Sequence, residues 1–384
     1  EYLKLINCFL FYKNNFRFKF YSFFLKFFFI CILFLKIINV SSAFDLDDEH
    51  PISVNGSLII ANQQSLKKHQ DFNQNEFNSR VDLEAGYNLN SSSGLNLQLR
   101  MSDGNGLDFG SVSSINAVVP GDDDDFKKPV ILQGYYSFTG HKKISFDIGQ
   151  MDPYSFFDGN NYSDDESETF LNLAFIHNPL LDVGGDLNPG TYGGTPGIHL
   201  KYSHNRFFAQ LGIFGSGLGA DFEGSIDNRI TIAQLTWSQE IVADLEKNYR
   251  VYYWDRKQGI DVDGNSLMPK ATGWGFSFDH DMNNYFSFIS RYGKSLDTKK
   301  DENISNALTI GLNIKGSLLG RPDDNIGIAA GNIKMYENDD ERFSEIYYKL
   351  FINKNFEISG SFQNLNMINA ESIHILSIRS KLFF

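Results

Sequence analysis

Arg80-Val81-Asp82-Leu83-Glu84-Ala85-Gly86-Tyr87-Asn88-Leu89 alternates with period two, and that alternation decides the fold class. Val81, Leu83, Ala85, Tyr87 and Leu89 share one face, while Arg80, Asp82, Glu84 and Asn88 share the other. Successive side chains of a β-strand point to opposite faces, so the stretch reads as a strand between an apolar and a polar medium. After the hairpin-length connection Asn90-Ser91-Ser92-Ser93-Gly94, Leu95, Leu97, Leu99 and Met101 oppose Asn96, Gln98 and Arg100.

Working outward, segments of the same kind occur at 54–63, 78–89, 94–103, 130–139, 143–149, 195–205, 206–216 and 228–238. They continue at 248–257, 271–280, 284–293, 305–315, 325–336, 342–352, 355–364 and 373–384. These sixteen segments predict an all-β fold, a transmembrane antiparallel β-barrel of about 16 strands with no long helix between them. A strand of about 9–11 residues crosses a bilayer at the usual tilt. All the segments but 143–149 reach that length, and an even number brings both ends to one side. A hydrophobic fraction of 42% fits as well, because alternation averages a lipid face with a wet one. Trp237, Trp254 and Trp274 fall near strand ends, where an aromatic girdle is expected, with Phe138, Phe146, Phe278 and Tyr292 completing it.

The two ends of the chain agree. Lys13, Arg17 and Lys19 precede an apolar run at Phe27–Leu35, and Ser41-Ser42-Ala43 follows. This is the layout of a Sec signal peptide over 1–43, leaving a mature domain at 44–384 and implying export to the bacterial outer membrane. Cys8 and Cys31, the two cysteines, both lie in the leader, so the mature domain has no thiol chemistry. With 28 basic and 46 acidic residues it is strongly acidic, which argues against nucleic acid as a partner. At the other end, Leu376, Ile378, Ser380, Leu382 and Phe384 oppose Ser377, Arg379 and Lys381. One face would meet lipid and the other the lumen. A terminal aromatic strand ending on Phe384 resembles the one that the outer-membrane assembly machinery reads.

The candidate site comes from an insertion at Gln150–Gly194. A connection this long in a compact domain is functional or disordered, and its density of aromatics argues for order. In a barrel wide enough to hold water, it can fold inward as a constriction loop. Arg80, Asp82, Glu84 and Arg100 on the inward faces, with Asp152, Asp158, Asp165 and Glu166 in the loop, are the expected pore-lining residues. Opposed guanidinium and carboxylate groups across a narrow throat would orient a polar solute.

Two motifs carry a family resemblance. Phe157-Asp158-x-Asn160-x-Tyr162 with Asp165-Glu166 and Phe170-Leu171-Asn172 resembles the corresponding region of the carbohydrate-selective porins. Gly320-Arg321-Pro322-Asp323-Asp324-Asn325-Ile326-Gly327-Ile328, preceded by Ile310–Gly316, is similar to that family's strand start. The resemblance implies a sixteen-stranded barrel, often a homotrimer, that passes small sugars and contacts outer-membrane lipid and lipopolysaccharide. Asp323 is expected to cap a turn. No cofactor or metal is expected: the eight histidines show no ligand spacing, Asp261–Asn265 lacks a full calcium-ligand series, and the run Asp122–Asp125 reads as a solvated loop. The alternatives are a general diffusion porin without a sugar site, a plugged structural barrel, and an outer-membrane enzyme. The enzyme reading lacks a Ser–His pair on the outer face.

Overall fold

A computed structural model of the 384-residue chain describes residues 52–66, 75–104, 107, 129–141, 143–181, 194–215, 229–242, 245–257, 259–260, 266–268, 270–297, 304–336, 340–367 and 372–384. The expected leader at 1–43, the Asp122–Asp125 run and the Asp261–Asn265 run lie outside the described residues.

Eighteen strands are described, and sixteen of them close a barrel. They are β1 (Ile52–Ser65), β2 (Asn75–Asn90), β3 (Ser93–Asp103), β4 (Val130–His141), β5 (Ile144–Met151), β6 (Thr195–His204), β7 (Phe207–Gly215), β8 (Arg229–Val242) and β9 (Leu245–Arg256). After the short hairpin of β10 (Gly259–Ile260) and β11 (Ser266–Met268) come β12 (Ala271–Asp281), β13 (Phe286–Ser295), β14 (Ile304–Lys315), β15 (Asn325–Met335), β16 (Glu341–Asn353), β17 (Phe356–Met367) and β18 (Ile373–Phe383). Each wall strand pairs antiparallel with its neighbours, and β18 returns to β1 with Leu382 opposite Leu58 and Arg379 opposite Ala61. Backbone bonds of 2.9 and 3.0 Å between Gly56 and Phe384 seal the seam. Closure leaves no strand edge unpaired, which a barrel in hydrocarbon requires.

The alternation sorts the side chains as expected. Along β18, Leu376, Ile378 and Leu382 are exposed on the outer wall, whereas Ser377, Arg379 and Lys381 are buried inside. Short connections join β2–β3, β4–β5, β6–β7, β8–β9, β12–β13 and β16–β17 at the end that also holds the start of β1 and the end of β18. In bacterial barrels the short turns face the periplasm. The β14–β15 turn lies at the same end and contains Arg321–Asp324. Here Asp324, not Asp323, does the capping: its buried carboxylate accepts from Arg321 Nε at 2.5 Å, from the Phe351 N–H at 3.0 Å and from the Tyr348 hydroxyl.

The tryptophans divide. Trp237 packs tilted against Tyr249 and Trp274 against Tyr292, ring centres 5.4 Å apart in each pair on the outer wall. Trp254 does not join the girdle, because the register of β9 turns it inward, where it is 1% exposed. Its ring lies over Gly273 of β12, and a Cβ there would meet the ring at 2.2 Å, so glycine makes room for the indole.

Ile378 lies mid-strand and 65% exposed on the lipid face, where a buried cation is costly. Ile378→Lys is expected to reduce folding free energy into vesicles by about 2–4 kcal/mol, read from urea titrations. A cost near zero would place that face in water.

Candidate pore constriction

The connection between β5 and β6 enters the barrel. Gly149, at φ +150, lies in β5 two residues before its end; a side chain there would meet the Gly134 carbonyl at 2.4 Å. Asp152 then caps a 3-10 turn at Pro153–Ser155, its carboxylate accepting from the Tyr154 N–H at 3.0 Å. Asn172 likewise caps one helical turn at Leu173–Ile176. Between these points the loop makes little repetitive structure, so its backbone groups need partners from the wall.

Charged residues of the wall supply them. Arg291 of β13, itself buried, donates to the Ser163 hydroxyl at 2.7 Å, the Phe175 carbonyl at 2.5 Å and the Asp158 carbonyl at 3.1 Å. Its Nε also lies 3.2 Å from the Asp158 carboxylate. Glu345 of β16 accepts from the N–H groups of Leu171 and Asn172 at 2.9 and 3.0 Å. On β18, Arg379 donates to the carbonyls of Glu166 and Thr169 at 2.5 and 2.9 Å. Lys381 reaches Ser167 at 2.6 Å and Glu168 at 2.7 Å. Hydrogen bonds to charged groups are the stronger ones, and here they converge on a single segment.

Apolar packing holds the same half of the loop. Phe157, Phe170, Phe175, Ile176 and Leu180 are buried against Phe214, Ile232, Trp254, Ile289, Phe343 and Tyr347 of the inner wall. Phe170 meets Tyr347 edge-on at 4.9 Å, and Phe175 lies 5.0 Å from Phe343. The barrel therefore contains a small hydrophobic core of its own.

The other side of the loop borders polar space. One cavity of about 270 Å³ lies against β1–β4 and contains Arg80, Asp82, Glu84, Arg100, Asp152, Asp165 and Glu166 in its lining. Arg80 is 2.8 Å from Asp82 and 2.5 Å from Glu166. Arg100 is 2.7 Å from Asp82 and 3.7 Å from Glu166, so two carboxylates and two guanidinium groups form one cluster across loop and wall. Asp165 faces Lys381 at 3.7 Å. Asp158, the eighth expected lining residue, does not line the cavity. It is fully buried behind the loop at φ +60, with its carboxylate taken by Arg291, the Tyr252 hydroxyl at 2.8 Å and the Asn178 N–H at 2.7 Å. It anchors the loop and cannot touch a solute.

A second cavity of about 460 Å³ lies against β5–β9 and was not anticipated from the sequence. Asp147, His199, Lys201, Gln210 and Arg250 line it, and His199 Nδ1 pairs with Asp147 at 2.9 Å. Tyr154, Ser155 and Asp164 belong to both cavities. His177 stacks on Tyr154 at 3.9 Å; burial and then the Arg291 charge push its imidazole down to about 3, so it is neutral. Asp164 could have been found by its place beside Asp165. The residues of the second cavity gave no signal beyond ordinary alternation.

Comparison with solved structures now has a geometry to refer to. The high-pH structure of Pseudomonas putida OprB superposes with a TM-score of 0.71 at 16% identity, over 87% of this chain and 94% of that one. The low-pH structure of the same protein gives 0.58 at 14% identity, covering 87% and 93%. OmpT of Vibrio cholerae, an outer membrane protein, gives 0.54 at 12% identity as its loop L8 deletion mutant, covering 87% and 99%. The chain has the porin fold. No family model matches it. An uncharacterised protein of Aquifex aeolicus is 26% identical over 239 residues, or 62% of this chain; the match spans 64% of that relative's length.

Removing one partner of a buried ion pair strands the other, at a cost of about 3–5 kcal/mol. Arg291→Ala is therefore expected to release the loop, so that limited proteolysis of the refolded barrel cleaves between residues 156 and 176, where the wild type is protected. Equal protection in both would mean that the remaining anchors suffice.

Proposed function

We propose that this chain is an outer-membrane porin through which small sugars diffuse passively into the periplasm. The observation that carries the reading is the polar cavity between loop and wall, where Arg80, Asp82, Arg100 and Glu166 stand beside Gln98, Gln133 and Ser155. A hydroxylated solute must exchange water for protein partners as it passes a narrow point, and this wall offers donors and acceptors in alternation. In the adjoining cavity Phe156 and Phe208 add aromatic surface, with Lys201 Nζ 4.8 Å from the centre of the Phe208 ring. Aromatic faces suit the C–H face of a sugar, while charged groups bind its hydroxyls. Export through the Sec leader, contact with lipopolysaccharide and assembly as a homotrimer belong to the same reading.

Single-channel conductance of the refolded barrel, titrated with glucose and other small sugars, tests it. Saturable block is expected. Arg100→Ala should raise the half-blocking concentration about tenfold, the equivalent of one hydrogen bond to a charged group, without closing the channel. Conductance indifferent to sugar would leave a general diffusion pore, and no conductance would sink the channel reading altogether.

Charge gives a second expectation. Asp82, Glu84, Asp152, Asp165 and Glu166 outnumber Arg80, Arg100 and Lys381 around the first cavity. Rings of carboxylates favour cations. Reversal potentials across a potassium chloride gradient should show cation preference, and anion preference would contradict this assignment of the lining.

A further inference from the structure

The outer wall carries a groove that the pore does not use. Register places Tyr202, Ala209, Leu235 and Val251 in one row across β6–β9. The next row toward the short turns is His204, Phe207, Trp237 and Tyr249. Ala209 is the one small side chain among these eight. It forms the floor of a groove of about 760 Å³ whose walls include Tyr202, Phe207, Leu235, Trp237 and Val251. Phe207, Leu235 and Val251 are each more than half exposed, so no described residue covers the groove.

Basic residues lie at its short-turn end. The Lys143 carbonyl accepts from the Ser203 N–H at 2.7 Å, and the Arg206 carbonyl from the Ser238 N–H at 2.9 Å, which places both turns beside the groove. Lys247, paired with Gln239, stands one row beyond Tyr249, and His204 is exposed beside Phe207. These basic residues cluster in a chain whose net charge is −13. An apolar channel ending in aromatic and then cationic side chains matches one end of a lipid: acyl chain, interface, phosphate.

We propose that this groove is a binding site for an anionic glycerophospholipid of the periplasmic leaflet, with an acyl chain over Ala209 and the phosphate at Lys143, Arg206 and Lys247. The proposal rests on the barrel lying in a bilayer with its short turns toward the periplasm. It does not depend on what passes through the pore. A second copy of the chain fits less well, since the core of a protein interface is depleted in lysine and the cations here would need an opposing acidic patch.

Native mass spectrometry of the detergent-purified barrel, with phosphatidylglycerol or phosphatidylcholine added at equal concentration, tests the site. A single retained phosphatidylglycerol is expected, with roughly tenfold preference over phosphatidylcholine given three basic side chains. Ala209→Trp, which fills the floor from outside, should abolish that adduct, and Lys143→Glu with Arg206→Glu should remove the preference. Both variants should keep the wild-type conductance, which separates failure of this site from failure of the pore reading. Equal retention of the two lipids by the wild type would overturn the proposal, as would an adduct that survives Ala209→Trp. A changed oligomeric mass in Ala209→Trp with lipid retention unaltered would make the groove an interface between copies instead. Should Ala209→Trp fail to fold, Ala209→Phe and the charge variants give the same readout.

Discussion

The bond network of Arg291 is the constraint on which the interior depends. One guanidinium on β13 binds the loop at Asp158, Ser163 and Phe175, and every one of these groups is buried. Taking an ion pair out of water costs several kcal/mol per ion, and attraction offsets this only when the remaining donors and lone pairs are also satisfied. Here they are: the Asp158 carboxylate also accepts from Tyr252 and Asn178. That completeness explains why Asp158 tolerates a left-handed φ of +60, which a non-glycine residue adopts only when its surroundings over-determine it. Asp158 and Arg291 come from segments far apart in sequence, so the pair forms only after the barrel has brought β13 opposite the loop.

Around this pair the barrel is divided unequally. The rings of Phe157, Phe170 and Phe175, with wall residues Trp254, Phe343 and Tyr347, make a dry core inside what would otherwise be a water-filled cylinder. Dry packing lowers the local dielectric, which strengthens the Arg291 and Glu345 contacts beside it. The two polar cavities border the other side of the loop, one against β1–β4 and one against β5–β9. Hydrophobic burial thus sets how the loop lies inside the barrel, and the charged side chains set what its polar side presents.

The wall was legible in the sequence because alternation is a local property. Each of the sixteen segments corresponds to a barrel strand, from β1 to β18, with ends differing by a few residues. Inward placement of Arg80, Asp82, Glu84 and Arg100 follows from the same parity. The loop was less legible. Its inward course could be argued from length and aromatic content, but which carboxylate meets solvent depends on partners more than a hundred residues away. Asp158 and Asp165 look alike in sequence, yet Arg291 removes the first from the lumen while Lys381 leaves the second at its edge. Trp254 misled for a related reason: nearness to a strand end suggested the girdle, whereas its parity along β9, read against Tyr252, puts it inside.

The same parity explains how one chain serves three media. Inward even-numbered positions of β9, such as Asn248 and Arg250, meet the wet cavity, while Tyr252 and Trp254 two and four residues on meet the dry core. Outward odd-numbered positions of that strand, Tyr249, Val251 and Tyr253, belong to the outer wall. No single hydropathy describes such a strand, because its environment changes across the sheet and again along its length. The inner face needs glycine on the neighbouring strand wherever a large ring must lie flat, as Gly273 and Gly275 do beside Trp254 and Tyr252. A porin wall of this kind is therefore constrained by packing on its inner side as firmly as a soluble core is, and the loop can be held still because that packing is dense.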